Sequence, residues 1–143
     1  MIDPKQLRIG NWVLVEIAKS LGETEVKYRS ERVDSIFVDG INMEWDHEMS
    51  DYTHAEKVRP ILLTPEILEK CGFSDRGFTN VGFFKNYWLP NKWTICYCIK
   101  TTEIHTSGLY YAAHANDIEV KYLHQLQNLY FALTGTELNY SPE

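Results

Sequence analysis

The densest gathering of potential metal ligands in this chain is the run from Asp39 to Glu56. It holds six acids (Asp39, Glu44, Asp46, Glu48, Asp51 and Glu56), two histidines (His47 and His54) and no basic residue. Carboxylates and imidazoles are ligands for hard or borderline cations. Their order, however, matches neither the two-histidine helix of zinc hydrolases nor the alternating acids of a calcium loop, and an acid-rich run is more often a hydrated loop. The expected element is therefore a polar loop, with a metal-dependent enzyme using residues 39–56 as the alternative reading.

A second grouping is built on sulfur. Cys96 and Cys98 stand two apart in a strand-like run, and His105 and His114 follow. The four could meet at zinc, but the pairs lack the C-x-x-C or H-x-x-x-H spacing that marks such sites. The expectation is a thiol pair on one strand face, with no metal and no cofactor assigned. Positions two apart in a strand are also too distant for an easy disulfide, and three cysteines cannot all pair, so all three read as reduced thiols. Cys71 closes a short helix, where the dipole raises a thiol's pKa rather than activating it. The chain has no G-x-S-x-G elbow and no glycine-rich phosphate loop, and no residue is assigned a catalytic role.

Aromatic residues of the strand-like runs (Phe83, Tyr87, Trp88, Trp93, Tyr97, Tyr110 and Tyr111) could stack on bases if they lined an open face. Lys85, Lys92 and Lys100 are the only cations interleaved with them, and the net charge of −6 repels phosphate. A place in the core is the expected role for these rings, and single-stranded nucleic-acid binding is a second alternative.

The segment that closes the chain is the most informative. At about 100° per residue, Tyr122, Leu123, Leu126, Leu129, Tyr130 and Leu133 fall in one core-facing arc. The opposite side carries His124, Gln125, Gln127, Asn128 and Phe131, and no Asp, Glu, Lys or Arg occurs between Lys121 and Glu137. Surface helices usually carry charge, whereas interface cores are depleted in it. The uncharged side therefore reads as a contact surface, covered either by the rest of the chain or by a partner. On the second reading His124, Gln127 and Phe131 form the binding residues of a homodimer or of a protein partner, with Phe131 as the anchor.

These residues need elements to hold them. Trp12 to Ala18 reads as a central strand opened by the turn pair Gly10-Asn11. Val33 to Val38 and Ile41 to Trp45 form a hairpin around Asp39-Gly40, residues that tolerate the positive φ of a two-residue loop. Thr64-Pro65 starts a helix of two turns, which Gly72 ends with Phe73 folding back on Leu68. Gly82 to Leu89, Trp93 to Lys100 and Leu109 to His114 make an antiparallel sheet rich in aromatics. A helix from Lys121 to Thr134 stops at Gly135. The fold class is α+β: a small SH3-like β-barrel unit at the N-terminus, a short helix, the aromatic sheet, and the C-terminal helix packed on it. One domain over 1–143 is expected, with sub-lobes at 1–58 and 59–143. The longest apolar runs are about five residues against the twenty or so of a spanning helix, and no signal-like segment opens the chain. The expectation is a cytoplasmic protein with no membrane partner.

Three stretches carry a resemblance. Val120 to Gly135, with its His124-Gln125-Leu126-Gln127-Asn128-Leu129-Tyr130-Phe131 core, resembles the C-terminal signature of a family of short proteins from gut-type anaerobic bacteria and their prophages. The Leu7-Arg8-Ile9-Gly10-Asn11-Trp12-Val13 opening and the Pro60 to Phe73 segment resemble that family's two other marks, in the same order. Position 123 is Leu where the family more often has Val, a swap without chemical consequence. No activity is assigned to the family, so the resemblance implies a phage-related accessory protein and carries over no catalytic residue. The opening is also similar to the first strand of SH3-like barrels, which commonly serve as binding modules.

Overall fold

A computed structural model describes residues 1–17, 19, 21–43, 52–78, 84–91, 93–98, 104–106 and 120–143. The chain forms two compact units: Met1–Ile61 with Tyr122–Glu137, and Leu62–Lys121 with Leu138–Glu143. Both are α+β with antiparallel sheets.

In the first unit, β1 (Trp12–Ile17), β2 (Lys27–Ile36), β3 (Gly40–Met43), β4 (Tyr52–His54) and β5 (Val58–Arg59) form one sheet in the order β4-β3-β2-β1-β5. The expected central strand is thus β1, flanked by β2 and β5. Its alternation is the cause of its burial: Val13 and Val15 join Ile2, Leu7, Val33, Ile41, Met43 and Val58 in the core, while Trp12 and Leu14 are only half-buried. β2 is long enough to serve two neighbours. A register shift between Val33 and Ser35 separates its pairing with β1 from its pairing with β3. A 3₁₀ turn over Ala55–Lys57 leads from β4 into β5. Among the described residues the sheet does not close into a barrel, and β4 and β5 are its edges.

The hairpin of β2 and β3 forms where expected, but its loop does not. The connection is Phe37 to Asp39, closed by a hydrogen bond from the Phe37 amide to the Gly40 carbonyl at 2.9 Å, and Gly40 is already the first residue of β3. Gly40 does not have a positive φ. A side chain is excluded there for a different reason: a Cβ at Gly40 would lie 2.3 Å from the Thr53 carbonyl oxygen and 2.7 Å from the Tyr52 hydroxyl.

In the second unit, α1 (Pro65–Lys70) has the caps its sequence specifies. Thr64 Oγ1 accepts from the Ile67 amide at 3.3 Å, and Pro65 occupies the first turn. Gly72, at φ +88°, donates to the Glu69 carbonyl, while the Phe73 amide reaches the Leu68 carbonyl at 3.0 Å. Both bonds of a Schellman stop are present. The second sheet follows in the order β6-β7-β8-β9: β6 (Ser74–Phe78), β7 (Phe84–Trp88), β8 (Thr94–Cys98) and β9 (Ile104–Thr106). β7 and β8 are the expected aromatic hairpin. β6 is a polar edge strand that lacks the usual apolar alternation, and the strand expected over Leu109 to His114 lies outside the described residues. Tyr87, Leu89, Ile95 and Tyr97 are buried as expected, whereas Trp88, also expected in the core, is 40% exposed and Trp93 is half-buried.

The C-terminal helix, α2 (Leu123–Thr134), ends at Gly135 with φ +71°. It belongs to the first unit, a correction to the expectation that it packs on the aromatic sheet. The reason lies in its polar side, described next.

Candidate functional site

Three side chains of α2 were expected to face a partner. Two of them are consumed within the chain. Gln127 is 1% exposed, and its Oε1 accepts a hydrogen bond from the Trp12 amide at 3.0 Å. That amide opens β1, so the glutamine joins the helix to the strand of its own unit. Asn128 makes the same link one residue on: its Oδ1 accepts from Asn11 Nδ2 at 2.9 Å, and its Nδ2 donates to the Gln6 carbonyl at 3.1 Å. Asn11 is itself buried, with its Oδ1 taking the Arg8 amide at 2.7 Å. The amides thus form a polar seam between α2 and the start of β1. Charge would be costly here, because buried ions need pairing, whereas amides can both donate and accept. The charge-free helix face has its explanation inside the unit.

His124 is also 1% exposed, and among the described residues neither ring nitrogen has a hydrogen-bond partner. Its ring stacks on Tyr122 at 5.9 Å between centroids and 10° between planes. Burial pushes the imidazole pKa down to about 4, so the ring is neutral at pH 7. The buried arc of α2 is accordingly Leu123, His124, Leu126, Gln127 and Tyr130, rotated from the apolar stripe so that Leu133 is exposed instead.

Phe131 alone of the three reaches the surface, at 38% exposure. The Arg8 guanidinium carbon sits 4.1 Å from its ring centroid, and Arg8 donates to both carboxylate oxygens of Glu137, at 2.5 and 2.9 Å. The arginine holds the Glu137 carboxyl below the ordinary range, and the ring is partly roofed by this ion pair. A partner arriving at Phe131 would have to displace an arginine already paired with Glu137.

Replacing Gln127 with Leu should cost about 1–2 kcal/mol in urea denaturation, since the Trp12 amide loses its acceptor. Phe131→Asp should change stability by less than about 1 kcal/mol, the value of an exposed cation–π contact. Equal effects of the two substitutions would contradict the division between a buried seam and an open end.

A different surface carries exposed aromatic area without such cover. At the β2–β3 connection and on the edge strand β4, Phe37 is 46%, Val38 94% and Tyr52 42% exposed. The Phe37 and Tyr52 rings meet edge to face at 5.7 Å, and Tyr52 meets His54 in the same way at 5.1 Å. The Tyr52 hydroxyl donates to Asp39 Oδ1 at 2.5 Å. This bond lowers the Asp39 pKa and pushes the Tyr52 phenol up to about 12. The three rings are therefore held in place before anything binds. Phe37-Val38, an apolar pair directly before a turn, was the sequence signal that could have marked the surface.

The acidic run itself offers less. Asp39 is engaged by Tyr52 and His54 lies against the same ring, whereas residues 44–51, with His47, lie outside the described residues. Among the described side chains no group of three His, Cys, Asp or Glu converges on a point that could hold a metal. Cys71 is a buried thiol whose pKa burial pushes up to about 12. On the second sheet, Arg76 lies 5.3 Å from the ring centroid of exposed Trp88, and Lys85 lies 4.9 Å from that of Phe78 while paired with Asp75. No described helix is long and apolar enough to cross a membrane. The chain matches no family model, no curated protein and no solved structure.

Proposed function

We propose that this protein works through protein contacts rather than catalysis, as an accessory protein of a prophage or mobile element, and that its contact surface is the aromatic corner of β4. The phage-related background comes from the resemblance of the three sequence marks. The observation that carries the contact is the fixed, exposed group of Phe37, Val38, Tyr52 and His54. Aromatic anchors held rigid before binding lose little entropy on association, which is where most of the cost of an interface arises. The bent β2, the strand order and the 3₁₀ turn before β5 also support reading the sheet as an SH3-like binding module.

The partner tested first is a second copy of the chain. β4 is an edge strand whose three residues, Tyr52, Thr53 and His54, include neither the charge nor the proline that usually guards an edge. An identical edge can pair with it about a two-fold axis, each copy bringing the same rings to the other. His124 and Gln127 have no part in this contact.

Light scattering over a concentration series should give twice the chain mass at high concentration. Val38→Asp should return it to the chain mass, because Val38 is almost fully exposed and its replacement leaves the core untouched. Phe131→Asp should leave the dimer intact. A wild-type protein that stays monomeric at every concentration, or a dimer that Phe131→Asp dissociates and Val38→Asp does not, would overturn the assignment.

A further inference from the structure

After α2 the chain returns to the second unit, and Leu138–Glu143 belongs with Leu62–Lys121. This closing segment has no helix or strand of its own, yet Leu138 is 4% and Tyr140 8% exposed, while Asn139 and Ser141 are open to solvent. Burial at every second residue is the pattern of an extended peptide that seats alternate side chains on a surface. Its main chain is gripped at one residue, Lys70, the last of α1. A helix leaves its final four carbonyls without partners inside the helix. In α1 the amides of Cys71, Gly72 and Phe73 take those of Ile67, Leu68 and Glu69, and the fourth, that of Lys70, accepts the Ser141 amide at 3.1 Å. The Lys70 ammonium then donates to the Pro142 carbonyl at 2.8 Å. Both bonds go to backbone atoms, which every peptide offers, so selection falls to the two seated side chains.

We propose that the end of α1 and the surface under Leu138 and Tyr140 form a binding site for an extended peptide with an aliphatic and an aromatic side chain two positions apart, and that the closing segment is its displaceable resident. The second unit then recognises such a peptide by a backbone grip at Lys70 and two apolar seats, with the residues between pointing to water and free to vary. The resident is held by little. Two seated side chains and two hydrogen bonds must order six residues, and the entropy lost is of the same size as what those contacts return. Its advantage over a free peptide is its tether, since a segment on a short linker has an effective concentration on the order of millimolar. A peptide of the same chemistry therefore enters when it is abundant or when the resident is weakened.

A fluorescein-labelled peptide with the sequence of residues 136–143 is titrated into the wild type and into the full chain carrying both Leu138→Ala and Tyr140→Ala, with anisotropy as the readout. The double variant should bind the peptide at least tenfold more tightly than the wild type, because its own segment no longer competes. A peptide with alanine at the two corresponding positions should bind the double variant at least tenfold more weakly than the parent peptide does. Circular dichroism is recorded alongside. A folded double variant that takes up no peptide at roughly millimolar concentration would overturn the site. Equal affinity in the two proteins, or undiminished binding of the alanine peptide, would do the same. If the double variant loses its dichroism, added peptide should restore it by supplying the missing side chains in trans, and failure to restore it would equally overturn the site.

Discussion

Acidification from pH 7 to pH 4 is expected to destabilise the protein by about 3 kcal/mol through His124 alone, and His124→Leu should remove that part of the dependence. The imidazole is buried, has no hydrogen-bond partner among the described residues, and is pushed by burial down to about 4, against an ordinary value of 6.5. Between those two values the unfolded chain binds a proton that the folded chain refuses. Stability therefore falls as pH drops through 6.5, and the loss is complete once the pH is below the folded pKa. Glu137 acts in a lower window. Its pKa is depressed by Arg8, so its contribution is present above the ordinary carboxylate value and is lost as pH falls through the lower folded one. Urea denaturation at pH 7 and pH 4 separates the two. Between pH 7 and pH 4 the stability difference between the wild type and His124→Leu should move by about 3 kcal/mol in favour of His124→Leu, whereas parallel losses would show that the ring is solvated or paired in the folded protein.

Gly40→Ala should cost about 2–3 kcal/mol, a large effect for one methyl group on a strand. The added Cβ would meet the Thr53 carbonyl oxygen at 2.3 Å, closer than any real contact of its kind, and a backbone oxygen cannot rotate away as a side-chain tip can. The only relief is to separate β4 from β3 at the Gly40 to His54 end of their pairing. Because β4 carries Tyr52 and His54, the same change should also abolish the dimer. Urea denaturation and light scattering on one sample read both effects. A Gly40→Ala protein as stable as the wild type would mean that the two strands do not approach this closely.

The parts of the fold that were legible in the sequence are those decided within one turn of chain. Thr64, Pro65, Gly72 and Phe73 specify both ends of α1, because each bond they make is to a residue three to five positions away. Gly135 likewise marks the end of α2. The surroundings of α2 were not legible. An uncharged face announces contact but does not say with what, and the group that satisfies Gln127 is the amide of Trp12, 115 positions earlier. His124 was placed opposite the core-facing arc, on the contact side, because its type is polar; the arc that is buried is set by where β1 lies, not by hydropathy. Short edge strands escaped for a related reason. β4 has three residues and β6 is polar, so neither displays the alternation that a buried strand imposes. The pairing of Cys96 with His105 depends on register, which spacing along the chain cannot supply.

The claim on which the functional account rests is that the amide side of α2 is an internal seam and that β4 is the surface offered to a partner. Amide chemical shifts followed over a dilution series test it residue by residue. Shifts that move with concentration at Phe37, Val38 and Tyr52 to His54, with those of His124, Gln127 and Phe131 unchanged, are the predicted result. Movement centred on Phe131 and its neighbours in α2, or no movement anywhere on dilution, would contradict it.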